Sequence, residues 1–270
     1  DAVWETTTQF NIGADFGFVD NRIGVTLDYY IKETNDLLLN RPLAGTSGFA
    51  AGVLENIGDM RNSGFEASLT FVPIQNNKVN WSVTLFGAIN DNEVVALFDD
   101  QPIDRGFATR IAVGQPLGSF FGLQTDGIYQ NMSEIERDNA LNPDRDYIVG
   151  AQPGDFRFVD QLTVDTDGDG IPDAGDGIIN NDDRTFIGSA LPDFTGGVEN
   201  RLTIGGLDVN FFFQFNFGNE VYNNNLAFAE GLNSVFAPTV RSFEGAWREE
   251  GDGDDIPTDP TGDGITPDDG

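Results

Sequence analysis

The chain has 270 residues, 39% of them hydrophobic, and its 45 acidic and 14 basic side chains give a formal charge of −31. A surface this negative repels phosphate backbones, so we expect no nucleic-acid partner. Cys and His do not occur, which excludes disulfides, thiolate or imidazole metal sites, and catalysis by a Cys nucleophile or a His-containing triad.

Six segments alternate apolar and polar residues with a period of two, which predicts β-strands. The predicted strands are 9–18, 22–31, 64–72, 80–89, 196–204 and 207–217. In the last of them Phe211, Phe213 and Phe215 share one face, and Asn210 and Gln214 lie on the other. Each segment has about the 9–11 residues with which a tilted strand crosses a bilayer. The chain is therefore predicted to be all-β and antiparallel.

The connections between these strands are of two kinds. Those at 19–21, 73–79 and 205–206 are tight, whereas 32–63, 90–195 and everything after 218 are long. Short turns on one rim and long loops on the other are typical of outer-membrane β-barrels. A water-soluble β-sandwich also alternates, but its strands are usually shorter, about five or six residues. Strand length and loop asymmetry favour a transmembrane β-barrel segment with long extracellular loops.

No apolar run approaches the roughly 20 residues that a membrane helix needs, so membrane insertion would require a closed barrel. Strand 80–89 leaves a short turn and strand 196–204 enters one, so the stretch between them crosses the membrane zero or two times. We predict additional strands at 111–113 and 120–129, in the extended outer part of the wall.

An acidic repeat within 130–193 has the spacing of an EF-hand-type calcium loop. Positions 1, 3, 5, 7, 9 and 12 are Asp165, Asp167, Asp169, Ile171, Asp173 and Asp176. Gly170 stands at position 6, where such a loop turns sharply, and Ile171 would contribute its backbone carbonyl. We predict a structural Ca²⁺ site in an extracellular loop region. A solvated acidic loop without metal is the alternative.

The last 53 residues, 218–270, are predicted to be a second acidic extracellular loop. Its carboxylates between Asp252 and Asp269 miss the calcium spacing, because Asp268 and Asp269 fall at the wrong positions. A plain solvated loop is therefore favoured there over a metal site.

Charged residues in mid-strand lie on the face opposite the apolar one; they are Asp15, Asp28, Glu66, Glu199, Arg201 and Asp208. In a barrel these side chains would point into the wet lumen, where they would be solvated or paired across strands. Aromatic residues near the strand ends would form interface girdles, or else belong to a core. These are Phe10, Phe18, Tyr29, Phe71 and Trp81.

Five motifs in series resemble the barrel region of SusC/RagA-like TonB-dependent transporters, over about residues 1–247. They are Trp4–Phe18 with Leu27–Lys32, Asn56–Glu66, Val113–Gly122 with Asp126–Tyr129, Asp182–Gly188 with Pro192–Phe194, and Gly218–Asn223. The resemblance implies a 22-stranded bacterial outer-membrane barrel in contact with lipid, capped by a SusD-like lipoprotein. It also implies import of oligosaccharides or peptides, driven by TonB–ExbB–ExbD.

On this reading residues 1–270 are one partial barrel domain, and the N-terminal plug, the TonB box and the last strands are absent. Such a segment would not gate or energise transport by itself. The runner-up is a secreted or surface-attached, calcium-dependent β-sandwich adhesin. A carboxylate-based glycoside hydrolase is less favoured because no pair of acids stands out, so we expect no enzyme.

Overall fold

The computed structural model describes residues 3–41, 52–106, 108–225, 240 and 246–250. Within these ranges the chain is dominated by antiparallel strands, as predicted. The strands are β1 Thr6–Phe18, β2 Ile23–Arg41, β3 Val53–Gln75, β4 Val79–Leu97, β5 Ile103–Arg105, β6 Thr109–Ile111, β7 Ser119–Leu123, β8 Thr125–Ile128, β9 Phe156–Phe158, β10 Arg184–Ser189, β11 Phe194–Ile204 and β12 Leu207–Phe217, with helix α1 at Met132–Asn139. No described helix is both long and apolar enough to cross a membrane.

Six long strands form one antiparallel sheet in the order β1-β2-β3-β4-β11-β12. They correspond to the six predicted strands, and the tight links between them are confirmed. The link from β1 to β2 turns through Val19, Asp20 and Asn21, whose φ angles are 55°, 52° and 59°. In the link from β3 to β4, the side chain of Asn76 accepts hydrogen bonds from the backbone N–H groups of Lys78 and Val79, both 2.9 Å long.

The middle strands are much longer than predicted: β2, β3 and β4 contain 19, 23 and 19 residues. The prediction that loops begin at 32 and 90 and that one ends at 63 is therefore wrong. In these extensions each face carries both polar and apolar side chains, so the alternation disappears although the backbone ladder continues. Ion pairs join the strands there, as between Arg41 and Glu55 at 2.7 Å.

Strand β11 pairs directly with β4, for example Val198 with Leu85. Of the two predicted outcomes for the stretch between them, zero crossings is the one observed in the sheet. Strands β6, β7 and β8 do exist close to the predicted 111–113 and 120–129. They have three to five residues each and pair in smaller sheets, of order β10-β7-β6-β5 and β8-β9, outside the six-stranded sheet. Their predicted place in the extended outer part of the wall stays a prediction.

The chain divides into two compact units, the first comprising Asp1–Phe120 and Gly188–Val221. This unit contains the six-stranded sheet. Near the beginning of β3 and the end of β4 it also contains a hydrophobic cluster. The cluster consists of Ile57, Val94, Leu97, Ile103 and Ile111, and Leu39 packs against it. The segment after β6 is held to β4 by backbone hydrogen bonds of 2.9 Å between Val94 and both Gly114 and Gln115. The motif that begins at Val113 is thus hydrogen-bonded to the C-terminal end of β4.

The second unit comprises Phe121–Ile187 and Tyr222–Gly270. Its described part is built from the β8-β9 ladder and α1, around the buried side chains of Tyr129, Ile135 and Tyr147. The side chain of Asn131 caps α1 by accepting a hydrogen bond from the N–H of Glu134, at 3.1 Å. The cap satisfies a backbone donor that the first helical turn leaves free.

Candidate functional site

The apolar side chains of the six long strands share one face of the sheet and are in register. One cross-strand row consists of Phe16, Val25, Leu69, Leu85, Val198 and Phe213. These side chains are not a core: Phe213, for example, is 68% exposed. Monomeric soluble proteins rarely expose apolar surface continuously over six strands, so this face calls for an apolar environment.

The apolar band ends abruptly toward the far ends of the strands. On the same face, the row that contains Ile31 continues into Ser63 and Asp91 on the two neighbouring strands. The next row contains Arg61, whose guanidinium lies 3.4 Å from Glu33 and 3.5 Å from Glu93. The face thus changes from hydrocarbon side chains to ion pairs within two residues. The alternation in the sequence did not locate this boundary, because it shows which face a residue is on and not where its environment changes.

The opposite face carries the predicted mid-strand charges. One row brings together Gly13, Asp28, Glu66 and Ala88, so two carboxylates are direct neighbours. The other charged residues have polar partners on this face. Thr26 donates to Asp15 at 2.7 Å, Arg201 lies 2.6 Å from Glu199, and Thr203 donates to Asp208 at 2.7 Å. This face is therefore polar, predominantly acidic and internally hydrogen-bonded.

Three aromatic residues on the polar face were not among the candidate functional residues predicted from the sequence. The hydroxyl of Tyr30 donates to Asn90 at 2.7 Å. The rings of Phe86 and Phe212 are nearly parallel, with an interplanar angle of 14° and centroids 5.8 Å apart. The sequence did contain a signal for them, because the period-two alternation assigns each of these aromatic residues to the polar face.

The acidic repeat folds as a loop closed by a bridge between Val164 and Ala174. Carboxylate oxygens of Asp165, Asp167 and Asp169 lie within 4.8 Å of one another. The structure thus brings together three of the six predicted ligands. Three carboxylates are hard oxygen donors of the type that Ca²⁺ prefers, so this part of the loop fits that ion.

The later positions of the repeat have other partners. Thr166 donates to Asp173 through its N–H at 2.9 Å and through its hydroxyl, and the N–H of Ile178 donates to Asp176 at 3.0 Å. Asp165 accepts from the N–H groups of Gly170 and Gly168, which lowers the pKa of its carboxyl. Asp165 is therefore ionised at neutral pH, as a metal ligand must be.

The second unit also contains a buried ion-pair network around Asp138, whose side chain is 2% exposed. Arg157 Nε lies 2.7 Å from one carboxylate oxygen of Asp138, and Arg137 Nε lies 3.0 Å from the other. The Tyr129 hydroxyl donates to Asp138 at 3.2 Å, and Arg157 also contacts Asp126. The network links α1, β8 and β9.

The pKa values in this network follow from burial and charge. Burial acts to raise the pKa of Asp138, but the hydrogen bonds and positive charges of Arg157 and Arg137 outweigh it, so the net pKa lies below its ordinary value. Burial, with the nearby charge of Asp160, raises the pKa of Tyr147 to about 12. At neutral pH the Asp138 carboxylate is therefore ionised between the Arg157 and Arg137 guanidinium groups, and the nearby Tyr147 phenol is neutral.

Comparison with known proteins gives a consistent result. The family model described as TonB dependent receptor-like, beta-barrel matches residues 3–119. TonB-dependent receptor P39 of Formosa agariphila is 32% identical over 93% of the chain, and TonB-dependent receptor SusC of Bacteroides thetaiotaomicron is 27% identical over 81%. A chain in the structure of the RagAB peptide transporter superposes on 98% of this chain, with a TM-score of 0.71 and 26% identity. The chain spans about a quarter of the length of these relatives, 26%, 20% and 26% respectively.

The Asp138 network makes the second unit sensitive to acid. Because the pKa of Asp138 is depressed on folding, its contribution to stability is complete above the ordinary carboxyl pKa of about 4 and is lost as the pH falls through the depressed value. We expect hydrogen exchange of residues 126–158, corrected for intrinsic rates, to be slow at pH 7 and faster at pH 3. Asp138→Asn should accelerate it already at pH 7, by removing about 3 kcal/mol from local stability. The exposed Asp144→Asn is the control, and equal exchange in the two variants would contradict this role.

Proposed function

Because this chain belongs to the TonB-dependent receptor family and forms part of its β-barrel, we propose that it builds wall and loops of a nutrient importer in a bacterial outer membrane. The six long strands would be neighbours in a barrel of 22 strands. Membership of this family supports transport over catalysis, since the named relatives are receptors and a transporter.

The observation that carries the proposal is the height of the apolar face. On β2 it runs from Ile23 to Ile31, and these two residues lie about 26 Å apart along a strand at ~3.3 Å per residue. With a strand tilt of about 40° this spans roughly 20 Å across the membrane, close to the ~25 Å apolar band of outer-membrane barrels. The ion pairs around Arg61 would then lie in the outer polar interface.

In this arrangement the polar face borders the water-filled lumen, and the tight turns at 19–22, 76–78 and 205–206 lie in the periplasm. The loop regions 130–193 and 218–270 would be extracellular. Backbone groups of the sheet satisfy one another in a closed barrel, which a strand needs in hydrocarbon. A calcium-dependent β-sandwich adhesin is less well supported, because in the described sheet the apolar face of β12 is exposed and not packed on a second sheet.

The partners and cargo are proposed from the relatives. The matched proteins include the TonB-dependent receptor SusC and a chain of RagAB, which is described as a peptide transporter. We propose that this protein works with a SusD-like surface lipoprotein and is energised by TonB–ExbB–ExbD through a part outside these residues. Its cargo would be oligosaccharides or peptides, as sequence resemblance implies.

We further propose that the acidic repeat binds a structural Ca²⁺ ion. Asp165, Asp167 and Asp169 would supply the first carboxylates, with Ile171, Asp173 and Asp176 completing the set once the Thr166 contacts of Asp173 exchange for the ion. The support is the cluster of three carboxylates within 4.8 Å. Like charges this close repel one another, and a divalent cation would relieve that repulsion.

Calcium should protect the loop from proteolysis. We expect cleavage between residues 160 and 178 to slow progressively as Ca²⁺ is titrated into chelator-treated protein, whereas Mg²⁺ should protect less because it demands a tighter octahedral site. The double substitution Asp165→Asn, Asp167→Asn should abolish the protection, and the exposed Asp144→Asn should retain it. Equal cleavage in calcium and in chelator would refute the site.

The transport proposal is tested in the full-length protein in its host. We expect it to sediment with the outer membrane and to stay insoluble without detergent. Deleting its gene should abolish uptake of a fluorescent oligosaccharide or peptide mixture, and a protonophore should have the same effect on the wild type, because TonB coupling uses the inner-membrane proton gradient. A full-length protein that fractionates as soluble and monomeric in buffer would overturn the proposal.

A further inference from the structure

Two phenylalanine residues break the polar pattern of the face assigned above to the lumen. Phe86 on β4 and Phe212 on β12 lie two strands apart, with β11 between them. Their rings are parallel to within 14°, and their centroids are 5.8 Å apart. Neighbouring side chains on the same face are polar: Gln214 shares a cross-strand row with Phe86, and Glu199 shares one with Phe212.

A glycine in the intervening strand makes room for the pair. Gly197 is the cross-strand neighbour of Phe86, and a Cβ at this position would collide with the Phe86 ring. The ring therefore lies across the backbone of β11 and reaches Phe212. Phe86 and Phe212 therefore form an aromatic pair across Gly197 on the polar face.

Within the part of the chain that the structure describes, this pair belongs neither to a packed core nor to the apolar face of the sheet. Phe212 remains 56% exposed although it stacks on Phe86, so most of the benefit of burying a phenylalanine side chain is not realised. The apolar environment lies on the other face, with Phe211 and Phe213. An exposed aromatic pair among polar groups is the composition of a binding site, where a few polar groups orient a ligand against apolar surface.

Hydrogen-bonding groups lie beside the rings. Arg201 Nη2 is 2.6 Å from Glu199 Oε1, and Asn210 Nδ2 approaches the same oxygen at 3.4 Å. Together with Gln214 they offer a carboxylate, a guanidinium and amides, so both donors and acceptors are available. The Glu199–Arg201 pair is close to neutral in sum and would not select strongly for a charged ligand.

We propose that Phe86 and Phe212 form a stacking subsite for a pyranose ring of an oligosaccharide; this inference rests on the import function proposed above. One face of a pyranose is lined with C–H groups, whose partial positive charge suits the negative π-face of an aromatic ring. Its hydroxyl rim both donates and accepts hydrogen bonds, which matches the Glu199, Arg201 and Gln214 set. A purely apolar ligand would desolvate these groups without replacing their hydrogen bonds, at a cost in affinity.

The test uses the full-length receptor purified with its lipoprotein partner and a library of neutral glucan, mannan and xylan hexasaccharides. We expect the wild type to bind at least one of them by isothermal calorimetry. Phe86→Ala and Phe212→Ala should each weaken that affinity about ten-fold, which corresponds to ~1.4 kcal/mol. Phe212→Tyr should bind like the wild type. Phe213→Ala is the matched control: it removes the adjacent ring on the other face and should leave affinity unchanged.

Each other outcome overturns the subsite. If no hexasaccharide binds, or only aromatic peptides bind, the sugar assignment is wrong. If Phe86→Ala and Phe212→Ala lower the yield or thermal stability while sugar affinity is unchanged, the pair is a structural contact with another part of the protein. The uptake test described above separates the two proposals. If the wild-type strain takes up any cargo while the sugar-binding test fails, the import proposal is supported and only the subsite is wrong.

Discussion

Along β2 the side chains from Ile23 to Ile31 point alternately to an apolar and a polar face, and the antiparallel ladder imposes the same choice on every neighbouring strand. A slip of one residue in β3 would bring Glu66 into the row of Leu27 and carry Leu69 to the acidic side. The register of the antiparallel strand pairing is therefore the constraint on which the rest of the structure depends. It also pairs the backbone groups of adjacent strands, which is the condition for placing a sheet in hydrocarbon.

Glycines let this register hold where large side chains cross the strands. The ring of Tyr30 lies where a Cβ on Gly64 would be, and its hydroxyl reaches Asn90 on the next strand. Phe86 crosses Gly197 in the same way. On the apolar face, Phe194 covers Gly87 and packs against Phe215, with ring centroids 5.8 Å apart. In each case an aromatic ring from a neighbouring strand occupies the space that a side chain at the glycine would fill.

The strands that cross the apolar band were predictable because period-two alternation survives wherever the two faces meet different environments. The alternation could not show that β2 continues to Arg41, because Leu37, Leu38 and Leu39 are consecutive and place apolar side chains on both faces there. The spacing of the aspartates in the acidic repeat correctly indicated that the first three carboxylates, of Asp165, Asp167 and Asp169, lie close together. It could not show that Asp173 turns to Thr166. The Asp138–Arg157 pair was invisible for a related reason: its partners are 19 positions apart in sequence and meet only once α1 and β9 have packed.

The two-faced sheet is tested most directly along β12, in a full-length protein that carries no other cysteine. Residues 209 to 216 are replaced by Cys one at a time, labelled with a nitroxide, and reconstituted in lipid bilayers. Collision rates with oxygen, which concentrates in lipid, are then compared with those of a water-soluble nickel chelate. The account predicts a period of two, with oxygen favoured at Val209, Phe211, Phe213 and Phe215 and the chelate favoured at Asn210, Phe212, Gln214 and Asn216. A profile without alternation, or one in which the chelate reaches both sets equally, would contradict it.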